Sequence, residues 1–204
     1  MANMAEPLAL VWSRPLPAGA DPSTVTVSRD QAGRSFVSFV VEEDIAPLSP
    51  KETAIGIDLG LKTLVVPSDG QTCANPKEFA RDEKNLGRLQ RQLARKIKGS
   101  KNREKQRRRV AKLHARLAER RRHHHHPLST KLMRENHTIV VESLAVKNMM
   151  LHPTLAKAMA DVGWGELVRQ LAYKAAWDRR ELSKMDRWYP SSQTCRACGH
   201  VLDS

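Results

Sequence analysis

Asp58 and Glu142 are the residues of this sequence best suited to chemistry, because each is an acid at the end of an apolar, β-rich run. A carboxylate in that position is costly to bury unless it is paired, hydrogen-bonded or bound to a metal. Two such acids from distant parts of a very basic chain therefore indicate a divalent-metal site beside a polyanion. The alternative for each acid is that it merely starts a loop or caps the next helix.

The overall composition indicates an acidic partner. The chain has 204 residues, enough for one sizeable domain plus a small appendage, with a net charge of +13 and a pI near 10.1. Aromatic residues make up only 4% of the chain, so the core must be built mainly from Val, Leu, Ile and Ala. A protein this basic is expected to bind nucleic acid.

The positive charge is concentrated in residues 81–122, called here the basic segment. It holds 18 Lys and Arg against 4 Asp and Glu, whereas the rest of the chain holds 17 and 18. Leucines and other apolar residues recur in it at steps of three and four, and Lys98–Lys101 divides it, which predicts a basic helical hairpin.

The hairpin is predicted to contact phosphates with little reading of bases, because its cations have no aromatic stacking platform beside them. The alternative is a solvated charge run, which is common on helices of mixed charge. The predicted nucleic-acid-binding residues are Arg88, Arg91, Arg95, Lys96, Lys101, Arg103, Arg107, Arg108, Lys112 and Arg116.

Alternating patterns predict several strands. Residues 8–44 suggest a strand near Leu8–Trp12 and a hairpin turning at Arg29–Gly33. Ala54–Leu59 and Thr63–Val66 predict two more strands, and a turn at Ser68–Gly70 precedes a strand near Gln71–Cys73.

The second half of the chain predicts further helices. His123–His126 and the following proline are interpreted as a polar helix end, with adventitious metal binding as the alternative. Helices are predicted over Leu128–Asn136, Leu155–Ala160 and Gly165–Leu182, with the Glu142 strand between the first two. Core or packing positions are predicted for Trp164, Trp177 and Trp188. Roles as helix caps or salt-bridge partners are predicted for Asp161, Glu166 and Asp186.

The three cysteines bear on the cellular compartment in which the protein works, and they suggest a second metal site. Cys73 stands alone and is predicted to be an ordinary strand residue, whereas Cys195 and Cys198 form Cys-x-x-Cys. An odd count with one close pair does not resemble a secreted disulfide framework. No signal-peptide pattern or membrane-length apolar run occurs, so a soluble, cytoplasmic protein is expected.

The order of these motifs resembles TnpB, the transposon-associated RNA-guided nuclease related to type V CRISPR effectors. The resemblance runs from about Leu8 to the end of the chain. It depends on Gly56-Ile57-Asp58-Leu59-Gly60, Val141-Glu142-Ser143-Leu144 with Lys147-Asn148-Met149-Met150, Gly163-Trp164-Gly165, Tyr189-Pro190-Ser191-Ser192 and Thr194-Cys195-Arg196-Ala197-Cys198-Gly199-His200.

The resemblance implies an α/β fold of the RNase H-like (RuvC) type. Residues 1–50 would be the last strands of a wedge domain that grips guide RNA, 51–188 a RuvC-like nuclease domain that includes the basic hairpin, and 189–204 half of a zinc ribbon. Asp58 and Glu142 would then be catalytic residues and Mg²⁺ ligands, with Cys195 and Cys198 as Zn²⁺ ligands. DNA and guide RNA would be the partners, in a prokaryotic cytoplasm near the nucleoid.

The sequence also departs from the family pattern. The second Cys-x-x-Cys and the Asp-Arg-Asp motif of the family are missing, and Asp203 lies too close to Cys198 to be the third catalytic Asp. A structural zinc site takes four ligands, so filling this half site would need a makeshift ligand such as His200 or a dimer that pairs two halves. We expect a chain truncated at both ends that cuts DNA weakly or not at all.

Three functions remain open on the sequence alone. The first is an RNA-guided, Mg²⁺-dependent endonuclease, and the second is a remnant that binds nucleic acid without cutting it. The third, a ribosomal-type basic protein with a zinc knuckle, explains the charge and cysteines but leaves the two acids Asp58 and Glu142 without a role.

Overall fold

The computed structural model describes residues 9–143, 151 and 156–185, apart from the side chains of residues 78, 79 and 157. It divides the chain into two compact units, with the boundary between Ile45 and Ala46. The predicted half of a zinc ribbon at residues 189–204 and the predicted packing residue Trp188 lie outside the described residues.

The first unit contains one β-hairpin. Its strands β1 (Thr24–Arg29) and β2 (Ser35–Val40) pair antiparallel, as the alternating sequence predicted. Within the turn, Asp30 accepts hydrogen bonds from the backbone N–H and the guanidinium of Arg34, at 2.9 and 2.7 Å. The predicted strand near Leu8–Trp12 is wrong for the described residues 9–12, which form no strand. Trp12 instead stacks on Phe39 at 5.6 Å.

The second unit is a five-stranded sheet with helices, in the order β5-β4-β3-β6-β7. The central strand β3 pairs antiparallel with β4 and parallel with β6, and β6 pairs parallel with β7. The strands are β3 (Ala54–Asp58), β4 (Thr63–Pro67), β5 (Cys73–Ala74), β6 (Thr138–Glu142) and β7 (Glu181–Met185). The helices are α1 (Glu78–Ala94), α2 (Lys101–Glu135), α3 (Ala156–Val162) and α4 (Trp164–Asp178).

The main core lies between one face of this sheet and the helices. Apolar side chains at alternate strand positions, which share one face, are buried there. They pack with fully buried residues of α2 and α4 such as Met133, Leu167 and Leu171. Trp164 is buried as predicted, and Trp177, which is half exposed, packs edge-on against Tyr173.

The basic segment forms the predicted helical hairpin. Ser100 caps α2, since its hydroxyl accepts a hydrogen bond from the Arg103 N–H at 3.1 Å. A second, smaller core joins the two helices through Leu86, Leu113 and Leu117. This thin apolar stripe is what the periodicity of three and four indicated.

The prediction that the histidine tract ends a helix is wrong, because α2 continues through Pro127 to Glu135. A proline inside a helix removes a backbone hydrogen bond and normally kinks or breaks it. Here Lys174 of α4 supports this turn by donating hydrogen bonds to the His126 carbonyl, the Ser129 hydroxyl and the Thr130 hydroxyl, at 2.9, 2.7 and 2.7 Å. The helix continues where the local signal predicted its end, and Lys174 binds the turn that follows Pro127.

The predicted helix over Gly165–Leu182 ends earlier, at Asp178. Arg179 takes a left-handed conformation with φ 49°, and the Arg180 N–H bonds back to the Ala175 carbonyl at 2.8 Å. This is the closing pattern of a helix C-terminus, and it frees Leu182 to join β7.

Candidate active site and nucleic-acid interface

The parallel pairing of β3 with β6 brings Asp58 and Glu142 together. Ile57 lies opposite Val141 in the register, so the next residue of each strand is the acid. The Asp58 carboxyl is near enough to Glu142 to raise the pKa of that residue. Residues 84 positions apart in the sequence thus meet at the same end of two adjacent strands, as the sequence analysis required.

Both acids lie on the sheet face opposite the main core. Successive side chains of a strand point to opposite faces, and Ile57 and Val141 occupy the buried face. Asp58 is exposed and Glu142 is half-buried. The acids are therefore reachable by solvent, ions and a substrate while the strands that carry them are held by the core.

The electrostatics of this pair favour a cation. Burial raises the pKa of Glu142, and the neighbouring Asp58 carboxyl raises it further through their hydrogen bond and its charge. A divalent cation between them would remove this repulsion, and carboxylate oxygens are the hard ligands that Mg²⁺ prefers. The residues present thus fit a hard divalent ion.

Backbone contacts at the far end of the two strands fix their register. The Thr53 carbonyl accepts hydrogen bonds from the N–H groups of His137 and Thr138, at 2.9 and 3.1 Å. Arg180 donates from Nε to the Met133 carbonyl at 3.1 Å, and its Nη1 lies 3.0 Å from His137 Nδ1. Because a strand slip of one residue would move an acid to the core face, these contacts also position the site.

The described part of the chain contains no group of three or more His, Cys, Asp and Glu side chains able to hold a metal. Asp58 and Glu142 accordingly form a pair of candidate ligands. The predicted zinc ligands Cys195 and Cys198 lie outside the described residues. Cys73 is a β5 residue, as predicted, with its Sγ 3.9 Å from His124 Nε2.

Nine of the ten predicted nucleic-acid-binding residues are exposed, and Arg103 is half-buried. The guanidinium of Arg103 donates to the carbonyls of Leu93 and Lys96, at 2.9 and 3.1 Å, and so closes the turn between the helices. Arg108 is exposed but forms an ion pair with Glu104 at 2.8 Å. Sequence periodicity cannot distinguish a turn-closing arginine from one that is available to a ligand.

Two further exposed lysines extend the basic surface and were missed by the sequence analysis. Lys84 lies four residues before Arg88, and Lys105 lies four residues after Lys101. That spacing places each on the same helix face as its predicted neighbour, and it was the signal that could have found them.

Of the acids predicted to be caps or ion-pair partners, Glu166 is confirmed. It receives hydrogen bonds from Arg169 at 2.9 and 2.8 Å and from Gln170 at 3.1 Å. The Arg169 side chain is the main reason that the pKa of Glu166 falls to about 2. Asp186 lies outside the described residues.

Comparison with known protein families shows to which family this chain belongs. Residues 38–152 match the OrfB_IS605 family, described as a probable transposase, and residues 164–204 match the Cas12f1-like TNB domain. The chain belongs to the OrfB_IS605 transposase family. The resemblance to TnpB drawn from the sequence motifs is thereby confirmed.

Two relatives of this chain share the same descriptive name. It is 51% identical over 201 residues to a protein of Streptomyces pristinaespiralis, and 34% identical over 193 residues to InsQ of Escherichia coli (strain K12). Both are named "Putative RNA-guided DNA endonuclease". The matches cover 98% and 87% of this chain but 50% and 48% of the relatives, so the chain spans about half their length.

A solved structure shares the fold. The protein in the cryo-EM structure of a Cas12f1–sgRNA–target DNA complex superposes with a TM-score of 0.61 at 16% sequence identity, over 90% of this chain and 39% of that one. The mixed α/β architecture is therefore common to both. Within the residues that the structure describes, no helix is long and apolar enough to cross a membrane.

Proposed function

We propose that this chain contributes the first two acidic residues of a RuvC-like, RNase H-type nuclease site in an RNA-guided DNA endonuclease of the TnpB type. The observation that carries the proposal is the adjacency of Asp58 and Glu142 on the parallel strands β3 and β6. The names of the relatives support the activity, and the Cas12f1 complex supports RNA and DNA as partners.

In this proposal Asp58 and Glu142 hold Mg²⁺ through their carboxylate oxygens. When bound, the metal would activate the attacking water and stabilise the leaving oxygen of a phosphodiester. The chain's own contribution is to fix both carboxylates on a rigid sheet and to keep them exposed to substrate. Burial is the main cause of the raised pKa of Glu142, and the Asp58 carboxyl adds to it through a repulsion that a bound cation would remove.

Metal binding by the purified chain tests the proposal directly. Mn²⁺ binding, followed by the loss of its free electron paramagnetic resonance signal, should weaken by about tenfold or more in Asp58→Asn and in Glu142→Gln, since each removes a charged ligand. Glu135→Gln is the matched control, because Glu135 is an exposed acid whose carboxylate lies 3.9 Å from Lys131. Equal Mn²⁺ affinity in all four proteins would contradict the metal site.

Cutting of target DNA is the second readout. Weak or absent cutting by this chain, as the sequence analysis predicts, stays a prediction until cleavage is measured with Mg²⁺ or Mn²⁺ and RNA transcribed from the encoding locus. Any cutting should be abolished in Asp58→Asn. Cutting that survives in Asp58→Asn would contradict the assignment of Asp58 as catalytic.

Nucleic-acid binding without cutting is the second candidate function, favoured by the exposed cations of the α1–α2 hairpin. Comparison of the unaltered chain with the Asp58→Asn variant separates the two functions. Asp58→Asn should abolish cleavage if the chain is a nuclease, and it should leave nucleic-acid affinity unchanged in either case. No cutting by the unaltered chain, together with intact binding, would favour the second function.

A zinc-binding role for Cys195 and Cys198 is part of the proposal. Thiolates at this spacing are typical of half a ribbon site, and the match of residues 164–204 to the Cas12f1-like TNB domain supports it. Zinc content per chain, measured by mass spectrometry of the metal, should fall in Cys195→Ser. If two chains share one zinc, sedimentation should show a dimer that disappears with a chelator.

A further inference from the structure

Asp58 lies just beyond the last register pair that joins β3 to β6. The parallel pairing ends with Ile57 opposite Val141, and on its other side β3 pairs Asp58 with Val66 of β4. The residues that follow Asp58 form the turn between β3 and β4. The position of the Asp58 carboxylate relative to Glu142 therefore depends on this turn as well as on the sheet.

The β3–β4 turn, residues 59–62, is closely packed at Gly60. A Cβ atom added at Gly60 would lie 2.6 Å from the Thr63 carbonyl oxygen, which is too close for a side chain. The Gly60 N–H donates to the Leu64 carbonyl at 3.4 Å, and the Leu61 side chain packs against the main core. These contacts confine the path of the chain directly after the acid.

Asn75 holds this turn from outside the two strands that it joins. Thr63 lies opposite Ala74 in the register of β4 with β5, so the residue after Ala74 comes next to the turn. There Asn75 Nδ2 donates a partly buried hydrogen bond of 2.8 Å to the Leu61 carbonyl. The bond satisfies a backbone carbonyl that lies outside the strands and fixes its direction.

The other end of the same amide holds the start of α1. Asn75 Oδ1 accepts a hydrogen bond from the Lys77 N–H at 3.0 Å, with the two-residue spacing of an Asx turn. Lys77, the residue before α1, is left-handed with φ 49° and ψ 47°, a conformation that is strained for a residue with a side chain. Strained residues persist where their surroundings hold them, and they concentrate near functional sites.

We propose that Asn75 is a positioning residue for the metal site formed by Asp58 and Glu142. Its amide ties the turn after Asp58 to the start of α1 and so holds the Asp58 carboxylate at the geometry that Mg²⁺ requires. The inference rests on the metal site of the proposed function, and it adds a residue that touches neither the metal nor the substrate.

Metal selectivity is the property that such positioning should control. Mg²⁺ needs near-ideal octahedral coordination with oxygens at about 2.0–2.1 Å, whereas Ca²⁺ accepts a flexible shell at about 2.3–2.6 Å. Misplacement of one carboxylate therefore weakens Mg²⁺ binding more than Ca²⁺ binding. Partial unfolding of the protein would instead weaken the binding of both ions equally.

Removal of the amide tests the proposal. Asn75→Leu keeps the approximate size of the side chain and removes both hydrogen bonds. Mn²⁺ binding is followed by the loss of its free electron paramagnetic resonance signal, and Mg²⁺ and Ca²⁺ are then titrated separately against bound Mn²⁺. We expect Asn75→Leu to weaken Mg²⁺ binding by about tenfold and Ca²⁺ binding by less, so that the ratio of their dissociation constants rises.

Two further asparagine variants give the controls. Asn85→Leu should leave both affinities unchanged, since Asn85 is a half-buried residue of α1 whose Oδ1 accepts from Arg88 at 3.0 Å. Asn75→Ser keeps an oxygen that can accept from the Lys77 N–H, but its side chain is one atom shorter and loses the bond to the Leu61 carbonyl. In urea unfolding it should recover part of the stability lost in Asn75→Leu, while it binds Mg²⁺ as weakly as that variant.

Gly60→Ala disturbs the same turn without changing Asn75. Its added Cβ must displace the Thr63 carbonyl, so this variant should also raise the ratio of the Mg²⁺ to the Ca²⁺ dissociation constant. Gly56→Ala is the matched control, because a Cβ at Gly56 meets no atom within 4 Å beyond its chain neighbours. If circular dichroism shows that Asn75→Leu is unfolded, Asn75→Ser and Gly60→Ala decide the question by the same ratio.

The outcomes separate this inference from the proposed function. Equal weakening of Mg²⁺ and Ca²⁺ binding in the Asn75 variants would mean that the amide supports only the fold, and it would overturn the inference. Mn²⁺ binding that Asp58→Asn loses but Asn75→Leu keeps at full strength would contradict the inference alone. Absence of Asp58-dependent Mn²⁺ binding in the unaltered chain would overturn the proposed function and the inference together.

Discussion

The two halves of helix α2 share one backbone but have opposite environments. The first half, Lys101–Arg122, packs on α1 through a thin apolar stripe and presents exposed cations. The second half, residues 123–135, buries His125, Ser129 and Met133 against the main core and α4. A rigid, buried half thus carries an exposed, charged half, and we expect substitutions in the two halves to have very different effects on stability.

The largest effect is expected from truncation in the buried half. Met133→Ala removes a fully buried side chain next to β6 and should lower the free energy of unfolding by about 2–5 kcal/mol. Leu113→Ala is the matched substitution in the exposed half, where the smaller core can relax into solvent, and it should cost less. Urea unfolding measures both, and a larger loss for Leu113→Ala would break the comparison.

The polar support of Pro127 ranks second. Lys174→Met removes the ammonium that bonds to the His126 carbonyl and two hydroxyls, which should lower the free energy of unfolding by about 2–3 kcal/mol. Lys112→Met removes an exposed lysine from the other half and should change it by less than about 0.5 kcal/mol. If chemical denaturation gave the same value for both variants, the network around Pro127 would contribute nothing to stability.

Acid sensitivity should arise in the buried half through His125. Burial and the nearby charge of His124 lower the pKa of His125 from 6.5 to about 4, Arg121 acts in the same direction, and Glu166 opposes them. The unfolded chain therefore takes up this proton first, so stability is complete above pH 6.5 and falls as the pH drops towards 4. Between pH 7 and pH 5 this residue alone should account for a loss of about 2 kcal/mol.

His125→Leu tests that assignment. Thermal or urea unfolding measures the free energy of unfolding at pH 7 and at pH 5. The decrease between the two pH values should be smaller by about 2 kcal/mol in this variant than in the unaltered chain. His114→Leu, in the exposed half, should show the same decrease as the unaltered chain, because the His114 side chain is exposed to water. An unchanged difference in His125→Leu would show that other groups cause the acid sensitivity.

The smallest effect is expected at a surface ion pair of the exposed half. Glu104 and Arg108 lie 2.8 Å apart with both side chains more than half exposed. Glu104→Gln should therefore change the free energy of unfolding by less than about 0.5 kcal/mol. It should strengthen nucleic-acid binding, because it frees Arg108 and removes a negative charge, and a filter-binding titration would detect this. Weaker binding would place Glu104 itself in contact with the ligand.

The sequence was most informative where a pattern was long or chemically unusual. The alternation of Ile55 and Ile57, and the periodic leucines of the basic segment, predicted strands and helices that the structure confirms. The two acids were recognised because a strand seldom ends on a carboxylate without a reason. Short signals failed: the histidine tract before Pro127 suggested a helix end that does not exist.

These failures share a physical cause. A proline is a local signal for a break, but Lys174, 47 residues further on, supplies hydrogen bonds that support the turn around it. The helix that was expected to reach Leu182 stops because Arg179 adopts a left-handed conformation, which nothing in its residue type requires. In both places a long-range contact or a backbone geometry outweighs propensity.

By itself, the sequence determined which chemical groups the candidate site can draw on: two carboxylates, a Cys-x-x-Cys and a segment with nearly all the excess positive charge. Only the tertiary structure decided which of these groups meet. The parallel register of β3 and β6 sets Asp58 beside Glu142, and the packing of α1 on α2 buries their leucines while their lysines and arginines stay exposed. Residue types are local, whereas register and helix packing depend on burying apolar side chains that are distant in the chain.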